Sequence, residues 1–206
     1  MSGHAQEPTN SVNEDDLAPT ETAGYKVGAK KTLDEYSKLD AEDESLNKWK
    51  ASLGLGAGGA VGKSDGPSVS PLTLCLHSAS RPSPIELDLS SPQALAGLKA
   101  NPVVIKEGSE YNVEIKFLVN NLVSGLKYIQ VVKRAGIQVD KLESMIGSYG
   151  PSADPVVKRF VTEEAPSGML ARSGTYTVRS RVLDDDKTVY VDFEWSFKLA
   201  KEWQRP

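Results

Sequence analysis

The sequence has little of the chemistry that cross-links proteins or binds metal ions. It contains one cysteine, Cys75, and two histidines, His4 and His77. A lone cysteine cannot form an intramolecular disulfide, and one cysteine with two histidines cannot supply the Cys and His ligands of a zinc site. We therefore expect no bound metal. Cys75 lies in the alternating segment "LTLCLHS", on the face opposite the leucines, which indicates a small packing residue rather than a nucleophile.

Long apolar runs are also missing. No stretch approaches the roughly 20 apolar residues of a membrane-spanning helix, and the N-terminal "MSGHAQEPTN" has neither a basic nor an apolar region. These absences predict a soluble cytoplasmic protein without stable membrane insertion. The net charge is −4, and residues 1–23 hold five acidic residues and no Lys or Arg. Because the remainder is close to neutral, we expect no nucleic-acid-binding surface.

Motifs typical of catalysis and nucleotide binding are absent as well. The sequence contains no GxSxG elbow and no GxxxxGK[ST] loop, and "GLGAGG" follows a predicted helix instead of a strand. Glu163 and Glu164 could act as acid and base, but neighbours on a strand point to opposite faces, so a solvated position is the better interpretation. We expect no catalytic residues and no cofactor, and hence no enzyme.

Composition and periodicity divide the chain into four segments. Residues 1–24 combine acids with Pro, Thr, Ser, Gln and Asn, which predicts a disordered acidic tail. Residues 25–54 form a helical arm, residues 55–67 a glycine-rich linker, and residues 68–206 the main domain.

The arm has the pattern of two short amphipathic helices. The first carries a capping-box pair, Thr32 and Glu35, followed by an apolar stripe. In the second, Asp43 or a neighbouring acid can cap the start, Leu46, Trp49 and Leu53 share one face, and Gly54 ends the helix. Isolated helices this short are marginal in water, so the arm either docks on its own domain or folds against another protein. We favour the second use.

From Pro67 onward the apolar period changes to two. The segments "YNVEIKFLV", "TYTVRSRV" and "VYVDFEWSFKL" each place their apolar residues on a single face, as half-buried strands do. Further strands are predicted at 70–77, 85–89, 102–106, 127–134, 136–142 and 156–161, with no long helix between them. Eight or nine strands in this length predict an all-β fold, an antiparallel β-sandwich.

Three consecutive aspartates, Asp184, Asp185 and Asp186, interrupt the last two strands. An Asp-rich hairpin turn, a calcium site and an acidic surface for a basic partner are the three interpretations. A calcium site needs six to eight oxygens, usually from more than one loop, and no second acidic loop matches this one.

Three stretches carry a family resemblance: "LDAEDESLNKWKASL", "LVSGLKYIQVVKRAGIQVDKLESMIGSYGP" and "EEAPSGMLARSGTYTVRSRVLDDDKTVYVDFEWSFKLAKEW". Together they closely resemble the Rho GDP-dissociation inhibitors over about residues 25–203. The resemblance implies an immunoglobulin-like sandwich with a regulatory arm. Such a protein binds prenylated Rho-family GTPases, preferably with GDP bound, extracts them from membranes and blocks GDP release. It also implies a monomer that forms a one-to-one heterodimer with the GTPase.

The resemblance further implies roles for particular residues. Those implied to contact the GTPase are Asp43, Glu44, Ser45, Leu46, Trp49, Leu53 and Asp186. Those implied to line a geranylgeranyl pocket between the sheets are Leu74, Val103, Tyr111, Leu122, Val178 and Trp195. Each pocket residue is also explicable as ordinary core. Two departures from the family pattern occur, since "FLVNNLVSG" is one residue shorter before Leu122 and Val103 stands where a bulkier residue is expected.

Two other functions compete with this interpretation. A general carrier of prenyl or acyl tails would share the sandwich and lack a helical arm, so the arm argues against it. A calcium-dependent membrane-binding sandwich depends only on the aspartate triplet.

Overall fold

A computed structural model of the chain describes residues 17–20, 42–52 and 66–204. The first predicted arm helix and Leu53 lie outside these residues, and the side chain of Trp49 is not described.

Nine strands account for most of the described chain. They are β1 (Val69–His77), β2 (Ile85–Asp88), β3 (Val103–Lys106), β4 (Glu110–Val119), β5 (Val123–Arg134), β6 (Ile137–Tyr149), β7 (Val156–Glu164), β8 (Thr175–Leu183) and β9 (Val189–Ala200). They form a four-stranded sheet in the order β2-β1-β4-β7 and a five-stranded sheet in the order β3-β9-β8-β5-β6. The two sheets make an immunoglobulin-like sandwich, which confirms the predicted fold class.

The period of two decides which side chains enter the sandwich. In β9, Phe193, Trp195 and Phe197 are buried on one face, and Glu194 and Lys198 on the other face are more exposed. Ser196 on that other face is buried too, because its hydroxyl donates to the carbonyl of Lys99. The inward residues of both sheets belong to one continuous apolar cluster, which also contains Leu74, Ile115 and Val178. Burial of each such side chain stabilises the fold by about 1.5–3 kcal/mol relative to exposure.

One strand pair departs from the antiparallel prediction. β3 pairs in parallel with β9, from Val103 opposite Phe197 to Lys106 opposite Ala200. β3 reaches the five-stranded sheet from β2 of the other sheet, through a short helix, so its direction is set by a crossover and not by a hairpin. Alternation in the sequence carries no information on strand direction.

Three helices accompany the strands among the described residues: α1 (Glu44–Ser52), α2 (Pro92–Leu98) and α3 (Met169–Arg172). α1 matches the second predicted arm helix. α2 begins with Pro92 at its first turn, and Oγ of Ser91 accepts a hydrogen bond from the N–H of Ala94. Both α2 and α3 are too short to show a clear helical period, and the sequence did not predict them.

A short segment of the N-terminal tail lies against the five-stranded sheet. Leu17 is fully buried in a small cluster with Ile129, Val131 and Leu183, on the face of that sheet turned away from the sandwich interior. Three residues later, the N–H and hydroxyl of Thr20 both donate to the Glu143 carboxylate, with the hydroxyl at 2.9 Å. We call residues 17–20 the strap. Composition, which predicts a disordered tail, did not anticipate this contact.

Within the described residues, every helix is too short or too polar to cross a lipid bilayer.

Candidate functional site

The predicted pocket residues come from both sheets and meet in the sandwich interior. Leu74 of β1 and Tyr111 of β4 lie in the four-stranded sheet, while Val103, Val178 and Trp195 lie on β3, β8 and β9 of the other. Leu74, Val178 and Trp195 belong to the central cluster, and Val103 and Tyr111 pack against it. The sequence therefore identified residues that share one apolar interior.

Leu122 is the exception among the six. It lies between β4 and β5, is half-buried, and is not part of the central cluster as the described residues define it. Its N–H donates to the side-chain oxygen of Asn121 at 2.8 Å, which fixes the local turn. Leu122 therefore lies at the end of two strands instead of inside the sandwich.

A chain of hydrogen bonds runs through the interior next to Trp195. The indole N–H of Trp195 donates to Oγ of Ser180 at 3.2 Å, and Oγ of Ser180 lies 2.9 Å from the hydroxyl of Tyr128. That hydroxyl donates to Oε1 of Gln130 at 2.7 Å. Because Tyr128 has a single proton, Ser180 donates to Tyr128 and the chain runs in one direction.

These bonds fix the orientation of the large aromatic rings in an otherwise apolar interior, because a buried polar group without a partner costs about 1–3 kcal/mol. Gln130 and Ser180 are both almost completely buried. Strand alternation in the sequence predicts that Ser180 faces inward. It does not predict that Tyr128 of β5 is its hydrogen-bond partner, because that depends on how the strands pair.

The edge of the sandwich between β7 and β6 holds a second polar contact. The hydroxyl of Tyr111 donates to Oε2 of Glu163 at 2.8 Å. Burial raises the pKa of Glu163 although this hydrogen bond lowers it, and the charge of Asp140 on β6 raises it further. Next to this edge, Phe160 of β7 stacks on Tyr128 of β5 with ring centroids 4.8 Å apart. The Tyr111–Glu163 hydrogen bond lies within the four-stranded sheet, whereas the Phe160–Tyr128 stack joins the two sheets at this edge through side chains alone.

The aspartate triplet forms the turn between β8 and β9, and its first residue is structural. Asp184 is buried, and its carboxylate accepts hydrogen bonds from the N–H of Thr188 at 2.8 Å and the hydroxyl of Tyr190 at 2.7 Å. The turn closes through Lys187, whose φ of 62° is in the left-handed region. Asp184 is therefore a turn residue, as the sequence predicted for the triplet in general.

The other two aspartates differ from it and from each other. Asp185 lies 3.3 Å from the ammonium of Lys127 and packs on Gly125, where a Cβ would come within 1.7 Å of the Asp185 carboxylate. Gly125 also has a φ of 62°, a left-handed conformation that favours glycine. Both the close carboxylate and the backbone conformation therefore require glycine at this position. Asp186 is half-buried, close enough for its charge to raise the pKa of Tyr190 after the larger effect of burial.

The arm helix α1 has its predicted cap. Oδ1 of Asp43 accepts hydrogen bonds from the N–H groups of Ser45 at 2.8 Å and Leu46 at 3.0 Å. Glu44 and Ser45 are exposed, and Leu46 is half-buried. Asp43 is thus required locally for the helix to begin, whatever other contacts it makes.

The segment around α3 combines a structural lock with an exposed apolar pair that sequence reasoning missed. Glu107 accepts hydrogen bonds from Arg172 and from the N–H of Gly168, which lower its pKa. The lock holds α3 against the β3–β4 turn. It leaves Met169 and Leu170 each 80% exposed, although large apolar residues in a short motif are usually expected to pack inward.

Taken together, the fold and site define a binding protein. The interior offers apolar surface and oriented aromatic rings, the two sheets meet at the β6–β7 edge through side chains, and a capped amphipathic helix precedes the domain.

Comparison with known proteins agrees with this class and gives the family. Residues 9–202 match the family described as RHO protein GDP dissociation inhibitor. The Rho GDP-dissociation inhibitor of Schizosaccharomyces pombe is 44% identical over 86% of each chain. Rho GDP-dissociation inhibitor 1 of Homo sapiens is 42% identical over 97% of this chain and 98% of its own. The Saccharomyces cerevisiae protein of the same name is 41% identical over 86% of this chain.

The chain belongs to the Rho GDP-dissociation inhibitor family. Members of this family are regulatory inhibitors and not enzymes, which confirms the prediction drawn from the missing catalytic motifs.

Proposed function

We propose that this protein binds geranylgeranylated Rho-family GTPases in their GDP-bound form and withdraws them from membranes into a soluble one-to-one complex. The prenyl group would enter between the two sheets at the β6–β7 edge, and the arm would cover the GTPase and slow GDP release. The observation that carries the proposal is the convergence of five predicted pocket residues from both sheets on one interior cluster, in a chain of this family.

The free energies allow extraction without catalysis. A geranylgeranyl group has about twenty carbons, and burial at about 0.8 kcal/mol per methylene gives an upper limit on the order of 15 kcal/mol. The bilayer offers the lipid a similar amount, so transfer between the two is nearly balanced. Protein contacts made only in the soluble complex then decide the direction.

The interior must rearrange to accept the lipid. Leu74 and Val178 are fully buried and Trp195 is 2% exposed, so their side chains pack within the central cluster and leave no open cavity to solvent at these positions. We therefore expect lipid binding to separate the sheets at the edge where Tyr111 meets Glu163. The backbone hydrogen bonds between paired strands within each sheet would stay intact.

Liposome extraction tests the proposal. Vesicles carrying geranylgeranylated, GDP-bound Rho GTPase are mixed with the protein and sedimented, and the soluble GTPase is measured. We expect stoichiometric release, and at least a hundredfold weaker binding of the unprenylated GTPase, which corresponds to about 2.7 kcal/mol. Equal binding of prenylated and unprenylated GTPase would contradict the lipid site, and release without slowed GDP dissociation would instead support a general tail carrier.

A matched pair of leucines tests whether Leu122 lines the lipid pocket. Leu122 and Leu118 are both half-buried, but Leu118 lies on β4 among residues facing away from the interior. Loss of about 1–2 kcal/mol of apolar contact predicts that Leu122→Ala weakens binding of the prenylated GTPase by roughly tenfold. Leu118→Ala should leave it unchanged. Equal effects would remove Leu122 from the pocket.

A second matched pair tests the arm. Leu46 is half-buried and Lys48 is exposed on α1, two positions apart and so on opposite faces of the helix. We expect Leu46→Ala to speed GDP release from the complex while lipid extraction persists. Lys48→Ala should behave as wild type. If both variants inhibit GDP release fully, the arm does not act through this face.

A further inference from the structure

Three side chains of different chemistry meet on the outer face of the four-stranded sheet, away from the proposed lipid site. Cys75 and His77 lie two residues apart on β1, and Glu114 lies opposite Cys75 on β4. The thiol, imidazole and carboxylate atoms all lie within 4.8 Å of one another. The alternation that sends Leu74 and Leu76 inward puts these side chains together on the outer surface.

The imidazole of this cluster contacts the carboxylate through a buried nitrogen. Nε2 of His77 lies 3.2 Å from Oε1 of Glu114, which is ion-pair distance when the imidazole is protonated, but the two groups are not aligned as a hydrogen bond and Nε2 has no better-aligned partner among the described residues. A neutral imidazole presents a lone pair at this position. A cation between that lone pair and the carboxylate oxygen would satisfy both buried atoms.

The carboxylate is already oriented by its neighbour. Arg159 donates from both Nε and Nη2 to Oε2 of Glu114, at 3.0 and 2.7 Å, which leaves Oε1 directed toward His77. Hydrogen bonds from a second residue to a ligand carboxylate are a regular feature of metal sites.

We propose, against the expectation from composition that no metal is bound, that Cys75, His77 and Glu114 form a site for a zinc-like divalent transition metal, with a carboxylate as the third ligand and the fourth position open. Thiolate, imidazole and carboxylate are the ligands that Zn²⁺ takes, three from the protein and one from solvent in an open site. Ca²⁺ and Mg²⁺ prefer oxygen alone and do not suit this set. His77 is 29% exposed at its side chain, so an ion can reach the site from solvent.

The charges of the site balance those of the ion. Binding forms a sulfur–metal bond and releases the thiol proton to solvent, so thiolate and carboxylate together neutralise the divalent cation. Glu86, opposite Cys75 on β2, places a second carboxylate on the other side of the sulfur. The inference is independent of the proposed function, because it involves the opposite face of the sheet and its test needs no GTPase.

Cobalt titration of the reduced, full-length protein tests the site. Co²⁺ replaces Zn²⁺ in such sites and gives a thiolate charge-transfer absorption band, and since the chain has one cysteine the band can arise only from Cys75. We expect a band that saturates at one equivalent of Co²⁺ and disappears when one equivalent of Zn²⁺ is added. Absence of the band would overturn the proposal.

Substitutions of the three ligands distinguish a three-residue metal site from metal binding by the cysteine alone. Cys75→Ser should abolish the band, and His77→Gln and Glu114→Gln should each weaken Co²⁺ binding by about tenfold or more, since even outer partners of metal ligands contribute about that much. His4→Gln, which changes the other histidine of the sequence, should leave the titration unchanged. Unaltered affinity in both His77→Gln and Glu114→Gln would reduce the cluster to one metal-binding cysteine and overturn the site.

A thermal measurement provides a second readout that does not depend on cobalt. Zn²⁺ that binds only the folded state should raise the melting temperature of the wild type. The same addition should shift the melting temperature of Glu114→Gln less, because its amide keeps the shape of the carboxylate but binds the ion more weakly. Far-ultraviolet circular dichroism of each variant without metal shows whether it is folded, so a loss of binding can be separated from a loss of structure.

Discussion

Single residues of the aspartate triplet have separate roles, although the sequence presents them as three equal acids. Asp184 is buried and bonded to Thr188 and Tyr190, whereas Asp186 is half-buried in the same turn. Asp184→Ala would leave an N–H and a hydroxyl without their acceptor, which we expect to cost about 1–3 kcal/mol in the free energy of unfolding. Urea denaturation measures this, and Asp186→Ala, at a half-buried position of the same turn, should cost less than Asp184→Ala.

For binding of the GTPase, we expect the Asp186 substitution to have the larger effect and the Asp184 substitution the smaller one. The family resemblance implies that Asp186 contacts the GTPase. We therefore expect Asp186→Ala to weaken the complex with prenylated Rho GTPase by roughly three- to tenfold, within the range of truncating an interface charge. Asp184→Ala, measured at a temperature where it stays folded, should weaken the complex less. Equal losses of affinity would show that the turn as a whole, and no single carboxylate, is recognised.

The carboxyl of Glu163 predicts a pH dependence of stability. Burial raises its pKa above the ordinary 4.5 in the folded protein, so Glu163 binds its proton more tightly there than in the unfolded chain. Its ionisation therefore opposes folding as the pH rises through 4.5 and beyond. Glu163→Gln removes that effect while its amide oxygen can still accept from Tyr111.

We expect the Glu163→Gln variant to match wild type in free energy of unfolding below about pH 4 and to exceed it at pH 7, in urea titrations across this range. Glu164→Gln, at the exposed neighbouring position, is the control and should follow wild type throughout. A wild type as stable as the glutamine variant at pH 7 would show that the Tyr111 hydrogen bond outweighs burial.

Among the elements, α1 shows how a residue can serve helix formation and recognition at once. Asp43 caps α1 and is also implied to contact the GTPase. Asn caps a helix about as well as Asp, whereas Ala costs about 1 kcal/mol. If the charge matters, Asp43→Asn and Asp43→Ala should both lose inhibition of GDP release. If only the cap matters, Asp43→Asn should inhibit as well as wild type, so nucleotide-release assays on the pair separate the two roles.

The strap is an element of marginal stability. Burying Leu17 contributes about 1.5–3 kcal/mol, while ordering four residues costs about 1–2 kcal/mol each, partly offset by the Thr20 hydrogen bonds to Glu143. We expect Leu17→Ala to release the strap, seen as faster amide exchange and proteolysis near residues 17–20. Global stability of the sandwich should change little, and unchanged exchange would contradict the docking.

The sequence predicted where all nine strands lie and most inward residues of β4, β8 and β9. It ended β6 at residue 142, whereas the strand continues to Tyr149, and it placed Val189 on the inward face of β9, where the structure leaves it 47% exposed. It could not predict the parallel pairing of β3, because direction is set by the crossover, nor α2 and α3, which are too short to show a period. The strap was missed because one leucine in an acidic tail has no periodic partner. The meeting of Cys75 with Glu114 depends on cross-strand register, which a single sequence does not specify.

For the whole molecule, the main expectation is that lipid binding and sheet opening are one event. The bonds from Trp195 through Ser180 and Tyr128 to Gln130 cross from β9 to β5 within the five-stranded sheet. That sheet should therefore stay rigid while β7 moves away from it. Amide exchange of the complex with prenylated GTPase should show increased exchange in β7 or its loops and continued protection of β5, β8 and β9, and uniform loosening of both sheets would contradict this.

The strap also changes the topology of the arm. With Leu17 docked on the five-stranded sheet and the domain resuming at Gly66, α1 lies in a loop closed at both ends and not on a free chain end. A closed loop explores a smaller volume than a tail of the same length, so α1 is held at a higher local concentration beside the sandwich. We expect release of the strap to increase the distance that α1 can reach from the sandwich without any change in the helix itself. On this view the docking of Leu17 limits the volume in which the arm could meet a partner.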